Sequence, residues 1–132
     1  MILNLLLNAR DAVVEKGQRV DGGYCKEISV RTFCPNGEIV VEVKDNGIGV
    51  RKEEWKKIFE PFYSTKKAGQ GQGLGLTIAN RIIQNMGGRI ELESEILTGT
   101  IMRIYLPHSI TGQNGQQNCF SGSNERFYAY GD

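Results

Sequence analysis

The chain has 132 residues, the size of one domain built on a single core, and its sixteen Lys and Arg against fifteen Asp and Glu leave a net charge of +1. Neither a basic nucleic-acid-coating protein nor an acidic disordered chain has such a balance, so no nucleic acid partner is expected. Three cysteines without a CxxC pair and a single histidine argue against a zinc site or a disulfide framework and fit a reducing cytoplasm.

The first apolar run, residues 1–7, is interrupted by Asn4 and is far shorter than the roughly 20 residues that span a bilayer, so no membrane insertion is expected. With no basic leader before it and no small-residue cleavage site after it, it is not a signal peptide either. Leu3, Leu6, Leu7, Val13 and Val14 recur at helical spacing and predict a helix over residues 2–16, stopped by Gly17, with Asn4, Asn8, Asp11 and Glu15 on another face. Residues 18–26 read as a loop. Alternation through Ile28, Val30 and Thr32, then through Ile39, Val41 and Val43, predicts a hairpin turning at Asn36-Gly37. Residues 51–59 can form a short helix, with Trp55, Ile58 and Phe59 available for packing. The stretch 60–73 lacks periodicity and carries Pro61, two lysines and three glycines, as functional loops do. Leu74, Ile78, Ile82 and Ile83 restore helical spacing over residues 74–86, ended by Gly87-Gly88 in a left-handed cap. Ile90 and Leu92, then Ile101, Ile104 and Leu106, make a last hairpin around Thr98-Gly99 before Pro107. From residue 108 to 132 the composition turns to Ser, Gly, Asn and Gln, as in a tail or linker, with Phe127, Tyr128 and Tyr130 as its apolar exception.

Two segments carry chemistry. Asp45-Asn46-Gly47-Ile48-Gly49 leaves a strand, presenting a carboxylate that can accept the amino group of adenine beside Gly47 and Gly49, where backbone can approach a flat ligand closely. The alternative is a bare turn. Gly71-Gln72-Gly73-Leu74-Gly75-Leu76 opens a helix, whose free N–H groups attract phosphate oxygens, so it reads as a phosphate cradle or as a flexible hinge. It is neither a GxxxxGK[ST] loop nor a GxGxxG turn after a strand. Asn8 lies away from the leucines, where its amide oxygen can ligate a hard cation such as Mg2+ or face solvent.

Taken in order, Asn4-Leu5-Leu6-Leu7-Asn8-Ala9, Asp45-Asn46-Gly47-Ile48-Gly49, Ile58-Phe59-Glu60-Pro61-Phe62-Tyr63-Ser64-Thr65-Lys66 and Gly71-Gln72-Gly73-Leu74-Gly75-Leu76 resemble the N, first glycine, F and second glycine boxes of sensor histidine kinases. The similarity continues through Asn85-Met86-Gly87-Gly88 and covers residues 1–107. It implies the Bergerat ATP-binding fold shared with gyrase, Hsp90 and MutL, an α/β sandwich with nucleotide held between helices and a mixed sheet under a mobile lid. It further implies ATP and Mg2+ as ligands, Asn8 on the metal, Asp45 as adenine anchor, and Gly47 and Gly49 lining the base pocket. Gly71, Gly73 and Gly75 would face the phosphates, with Leu74 and Asn4 also in the cofactor-binding set. Phe59 and Phe62 would hold the lid base, although they serve equally well as core residues. For Lys66 two readings stay open, a contact to the terminal phosphate and a solvated lid charge.

Hydrolytic relatives carry a glutamate base four residues before the metal-binding asparagine; here that position is Asn4, whose amide cannot take a proton. The resemblance therefore favours phosphoryl transfer to a histidine on a separate dimerisation domain, and indirectly to a response regulator, with no residue of this chain assigned as catalytic. The competing reading is a noncatalytic fragment that binds nucleotide poorly or serves protein interaction. The chain departs from the family in three respects. His108 lacks the acidic neighbour of a phosphoacceptor box and reads as a surface residue, and Gln72 stands where Thr is frequent. The strand that ordinarily precedes the first helix is also missing, so apolar surface is expected to need a cover, for which the tail aromatics are candidates.

Overall fold

A computed structural model of the chain describes residues 1–63 and 74–108. Leu5, Ala9 and Val13, spaced four residues apart, form the buried stripe of helix α1 (Ile2–Arg19). That stripe meets one face of a sheet formed by β1 (Ile28–Phe33), β2 (Glu38–Asp45), β3 (Arg89–Glu95) and β4 (Gly99–Pro107). Helix α2 (Gly75–Asn85) adds Ala79 and Ile83 to the same layer. Strand alternation turns Val41, Val43, Met102 and Ile104 towards the helices, so the core lies between one sheet and two helices. The result is the two-layer α/β sandwich that the resemblance implies.

The strand order is β1-β2-β4-β3. Every pairing among the described strands is antiparallel, as expected of strands joined by two hairpins, so the implied mixed character of the sheet is not seen within them. The register sets Asp45 opposite Thr100 and Val43 opposite Met102, bringing residues more than fifty positions apart side by side at one end of the sheet. On the opposite face, Glu42 lies between Arg103 (Nε to Oε2, 2.8 Å) and Arg31 (3.7 Å), and Arg103 also reaches Glu93 at 2.7 Å.

Three local expectations are corrected. Helix α1 runs through Gly17 to Arg19. At Gly17 a Cβ would lie 3.0 Å from Lys26 Cε, so glycine here admits a neighbouring chain segment and does not terminate the helix. The expected helix over residues 51–59 is instead two 3-10 turns, Lys52–Glu54 and Lys57–Phe59. Trp55 lies between them with its indole N–H on the Val50 carbonyl at 3.1 Å, and Glu60 becomes extended ahead of Pro61. Phe62 takes a φ of 63° and is 76% exposed, so it is no core residue. Gly87, with φ 77°, ends α2 as expected.

No described helix is long and apolar enough to cross a membrane. Lys66, Gly71, Gln72 and Gly73 of the glycine-rich segment lie outside the described residues, as do Phe127, Tyr128 and Tyr130 of the tail. His108 is exposed.

Candidate functional site

Between the outer face of α1, the Asp45 end of the sheet and the start of α2 lies a cleft of about 1040 Å³. Its floor is apolar, from Val43, Ile48 and Met102, and polar groups converge from several elements. Asp45, only 7% exposed, is the last residue of β2. Burial pushes its carboxyl up to about 6, although the backbone N–H groups of Gly47 and Thr100 and the charge of Lys16 act to lower it. The Gly47 bond to Asp45 Oδ1 is 2.8 Å long.

The turn that carries Asp45 is fixed from both sides. The Ile48 N–H donates to the Ala12 carbonyl of α1 at 3.1 Å, and the Ile48 carbonyl accepts the Leu97 N–H at 2.7 Å. Both glycines of the turn are required by close approach. A Cβ at Gly47 would lie 2.5 Å from the Ala12 carbonyl carbon, and one at Gly49, where φ is 76°, would lie 2.1 Å from the Glu95 carbonyl oxygen.

Thr100, buried beside Asp45, belongs to a network anchored on Ser94. Ser94 Oγ donates to the Gly99 carbonyl at 3.0 Å and accepts the Val50 N–H at 2.8 Å, so the 2.8 Å contact between the two hydroxyls has Thr100 as donor. The Thr100 oxygen is thereby left as an acceptor at the cleft wall.

Along α1, Asn4, Asn8, Asp11 and Glu15 line the cleft at helical spacing. Asn4 Nδ2 donates to the Gly75 carbonyl at 3.1 Å, tying the first helix to the start of the second. The Asn8 amide has no such partner among the described residues and faces the cleft, which suits an oxygen donor for a hard cation. Among the described residues no group of three or more His, Cys, Asp or Glu could hold a metal ion. Near the mouth, the Tyr63 hydroxyl donates to Glu54 Oε1 at 2.8 Å, and Thr77 Oγ1 of α2 donates to the Phe59 carbonyl at 2.9 Å.

Of the residues singled out from sequence, Asn4, Asn8, Asp45, Gly49, Leu74 and Gly75 line this one cleft. Gly47 does not line it and instead packs against α1. Lys66, Gly71 and Gly73 lie outside the described residues. Sequence reasoning did not find Thr100, Ser94 and Met102: each is an ordinary strand residue until the β2–β4 register sets Thr100 opposite Asp45 and Met102 opposite Val43, and the β3–β4 register sets Ser94 opposite Thr100. Tyr63, read as packing, contributes a hydroxyl at the mouth.

A cleft of this construction, on a two-layer sandwich with an aspartate-glycine turn facing a helix-borne asparagine, defines a class of nucleotide-binding ATPase domains. The chain belongs to that family: the family model described as histidine kinase-, DNA gyrase B-, and HSP90-like ATPase matches residues 1–110. Within it, the chain is the catalytic ATP-binding domain of a histidine kinase, as its relatives show. It is 39% identical to the sensor kinase CckA of Brucella abortus over 82% of its length, and 37% identical to the sensor histidine kinase ZraS of Klebsiella oxytoca over 89%. It spans 12% of the former protein and 22% of the latter. Among solved structures, full-length ShkA in complex with AMPPNP superposes with a TM-score of 0.66 at 28% identity, covering 82% of this chain and 20% of that one. The mycobacterial sensor histidine kinase MprB gives 0.64 at 26% identity, covering 80% and 66%.

Proposed function

We propose that the chain binds Mg-ATP in this cleft and donates the γ-phosphoryl group to a histidine on a separate dimerisation domain, which in turn serves a response regulator in the cytoplasm. The observation that carries the proposal is the convergence on one cleft of Asp45 and Asn8, which belong to different elements and have different chemistry. Asp45, when ionised, accepts the adenine amino group, and the Thr100 oxygen and the apolar floor of Val43, Ile48 and Met102 suit the rest of the base. Asn8 would offer its amide oxygen to Mg2+, which would supply neutralisation of the phosphate charge when bound. The second glycine box, from Gly71 through Gly73 and Leu74 to Gly75, is assigned to the phosphates, with Lys66 as a terminal-phosphate contact. The binding of AMPPNP by ShkA, a structural relative, supports the ligand class.

Asn4 argues for transfer over hydrolysis. Its amide is engaged with the Gly75 carbonyl and cannot act as a base for water, so the role left to it is to join α1 to the phosphate end of the cleft. In the transfer the bond from the γ-phosphorus to the β–γ bridging oxygen breaks, a bond to an imidazole nitrogen forms, and ADP leaves.

The full chain, mixed with radiolabelled ATP, Mg2+ and a histidine-bearing helical-hairpin domain from a related kinase, should label that domain on its histidine and should not label itself. Label on His108 of this chain, or steady phosphate release without an acceptor, would refute the mechanism.

A further inference from the structure

Behind Asp45, on the side away from the cleft, polar side chains cluster in a way that the four sequence boxes do not account for. Lys16, near the end of α1, donates from Nζ to the Asn46 carbonyl at 3.0 Å and lies 4.7 Å from the centroid of the Tyr24 ring. The Tyr24 hydroxyl is 3.1 Å from the same carbonyl and 3.0 Å from Asn46 Oδ1. Asn46 also receives the Glu27 N–H on Oδ1 at 2.9 Å and donates from Nδ2 to the Cys25 carbonyl at 2.8 Å. One residue past Asp45, the turn is thus bound to helix α1 and to the segment that follows it.

We propose that Lys16, held by Asn46 and Tyr24, is a positioning residue for the adenine end of the cleft, supplying positive charge to the turn that bears the buried Asp45 carboxylate. This inference rests on the assignment of Asp45 as the base anchor. Elsewhere around Asp45, β1 and β4 present the uncharged Ile28 and Thr100 as its register partners. The segment after α1 brings Tyr24 and Cys25, and α1 itself brings Asp11 and Glu15 along the cleft. Burial and the neighbouring Asp45 both push the Tyr24 hydroxyl up, so it stays protonated as a donor to Asn46. Lys16 is the cation whose charge acts on Asp45, and it does so while bonded to the next residue's carbonyl. The combination gives Lys16 an electrostatic role that a neutral side chain of equal length cannot fill.

The test is a carbon-detected NMR titration of the Asp45 carboxyl in the nucleotide-free full chain, wild type against Lys16→Met, Lys16→Gln and Lys16→Arg, with ATP affinity measured at pH 6.5 and pH 8. Removal of the charge should raise the carboxyl midpoint. ATP should then bind more weakly at pH 6.5 and nearly as well as wild type at pH 8, because only the ionised fraction accepts the base. Lys16→Arg should restore both. An unchanged midpoint in either folded neutral variant, or an equal loss of affinity at both pH values, would overturn the proposal. A wild-type chain that fails to bind ATP refutes the nucleotide reading, and the carboxyl titration still decides whether Lys16 acts on Asp45.

Discussion

Replacement of Gly47 by alanine probes how tightly the turn that bears Asp45 is built against the first helix. The added Cβ would lie 2.5 Å from the Ala12 carbonyl carbon and 2.7 Å from both its oxygen and its Cβ. Ordinary van der Waals contact needs about 3.5 to 4.0 Å between carbon atoms, so a separation of more than 1 Å must be found. The obstructing carbonyl belongs to the helix backbone, which has no rotamer to change. Moving it stretches the 3.1 Å bond from the Ile48 N–H to the Ala12 carbonyl. Overpacking costs about 1 to 3 kcal/mol and the lost hydrogen bond about another 1, giving a total of roughly 2 to 4 kcal/mol. For a domain of this size the melting temperature should fall by roughly 10 to 25 °C. Gly37→Ala is the control: its φ of 77° imposes backbone strain of about 1 to 2 kcal/mol, but nothing lies within 4 Å of the new Cβ. Differential scanning calorimetry of both variants, with ATP titrated into each, gives the comparison. Gly47→Ala melting with Gly37→Ala and binding ATP as wild type does would refute the close approach of turn and helix.

Four further outcomes are expected. With Asp45 raised to about 6, adenine nucleotide affinity should be level above about pH 7 and fall about tenfold by pH 5, as the acceptor is protonated. Stability of the nucleotide-free chain should respond in the opposite sense at this residue: a raised carboxyl stabilises the fold fully below about 3.8, and about 3 kcal/mol is lost as pH rises through 6, an increment that Asp45→Asn removes from a pH series of chemical denaturation. Asn8→Ala should weaken ATP binding in the presence of Mg2+ and leave metal-free ADP binding unchanged in calorimetry; equal losses in both would point to a folding defect. Arg103→Ala leaves the buried Glu42 carboxylate with Arg31 as its remaining ion-pair partner, and should lower thermal stability by about 2 to 3 kcal/mol without changing ATP affinity.

What the sequence conveyed about the site was the part written in contiguous residues. Asp45 and Gly49 could be recognised because a strand end, a carboxylate and a glycine fall within five positions, and Asn8 because its helix face is set by the leucines around it. Strand alternation likewise gave the two hairpins. Thr100 and Ser94 could not be recognised, because the place of Thr100 beside Asp45 and of Ser94 beside Thr100 depends on the β2–β4 and β3–β4 registers, which no local pattern specifies. The Lys16, Tyr24 and Asn46 cluster was hidden for the same reason, being assembled by a loop that folds back on the helix before it. Glycine was the residue most easily misread. Gly17 has the form of a helix stop yet admits the Lys26 side chain within α1, and Gly47, expected to line the base pocket, is required instead by the backbone of Ala12.

The most direct measurement is calorimetric titration of the full chain with ATP and with GTP in the presence of Mg2+, repeated for Asp45→Ala. ATP should bind and GTP should bind more weakly, because guanine offers a carbonyl where adenine offers the amino group that Asp45 accepts. Loss of a hydrogen bond to a charged acceptor, about 1.5 to 3 kcal/mol, should weaken ATP by roughly 10- to 150-fold in the variant and erase the preference between the two nucleotides. ATP affinity unchanged in Asp45→Ala, or equal affinity of the wild-type chain for the two nucleotides, would contradict the assignment of this cleft as an adenine site.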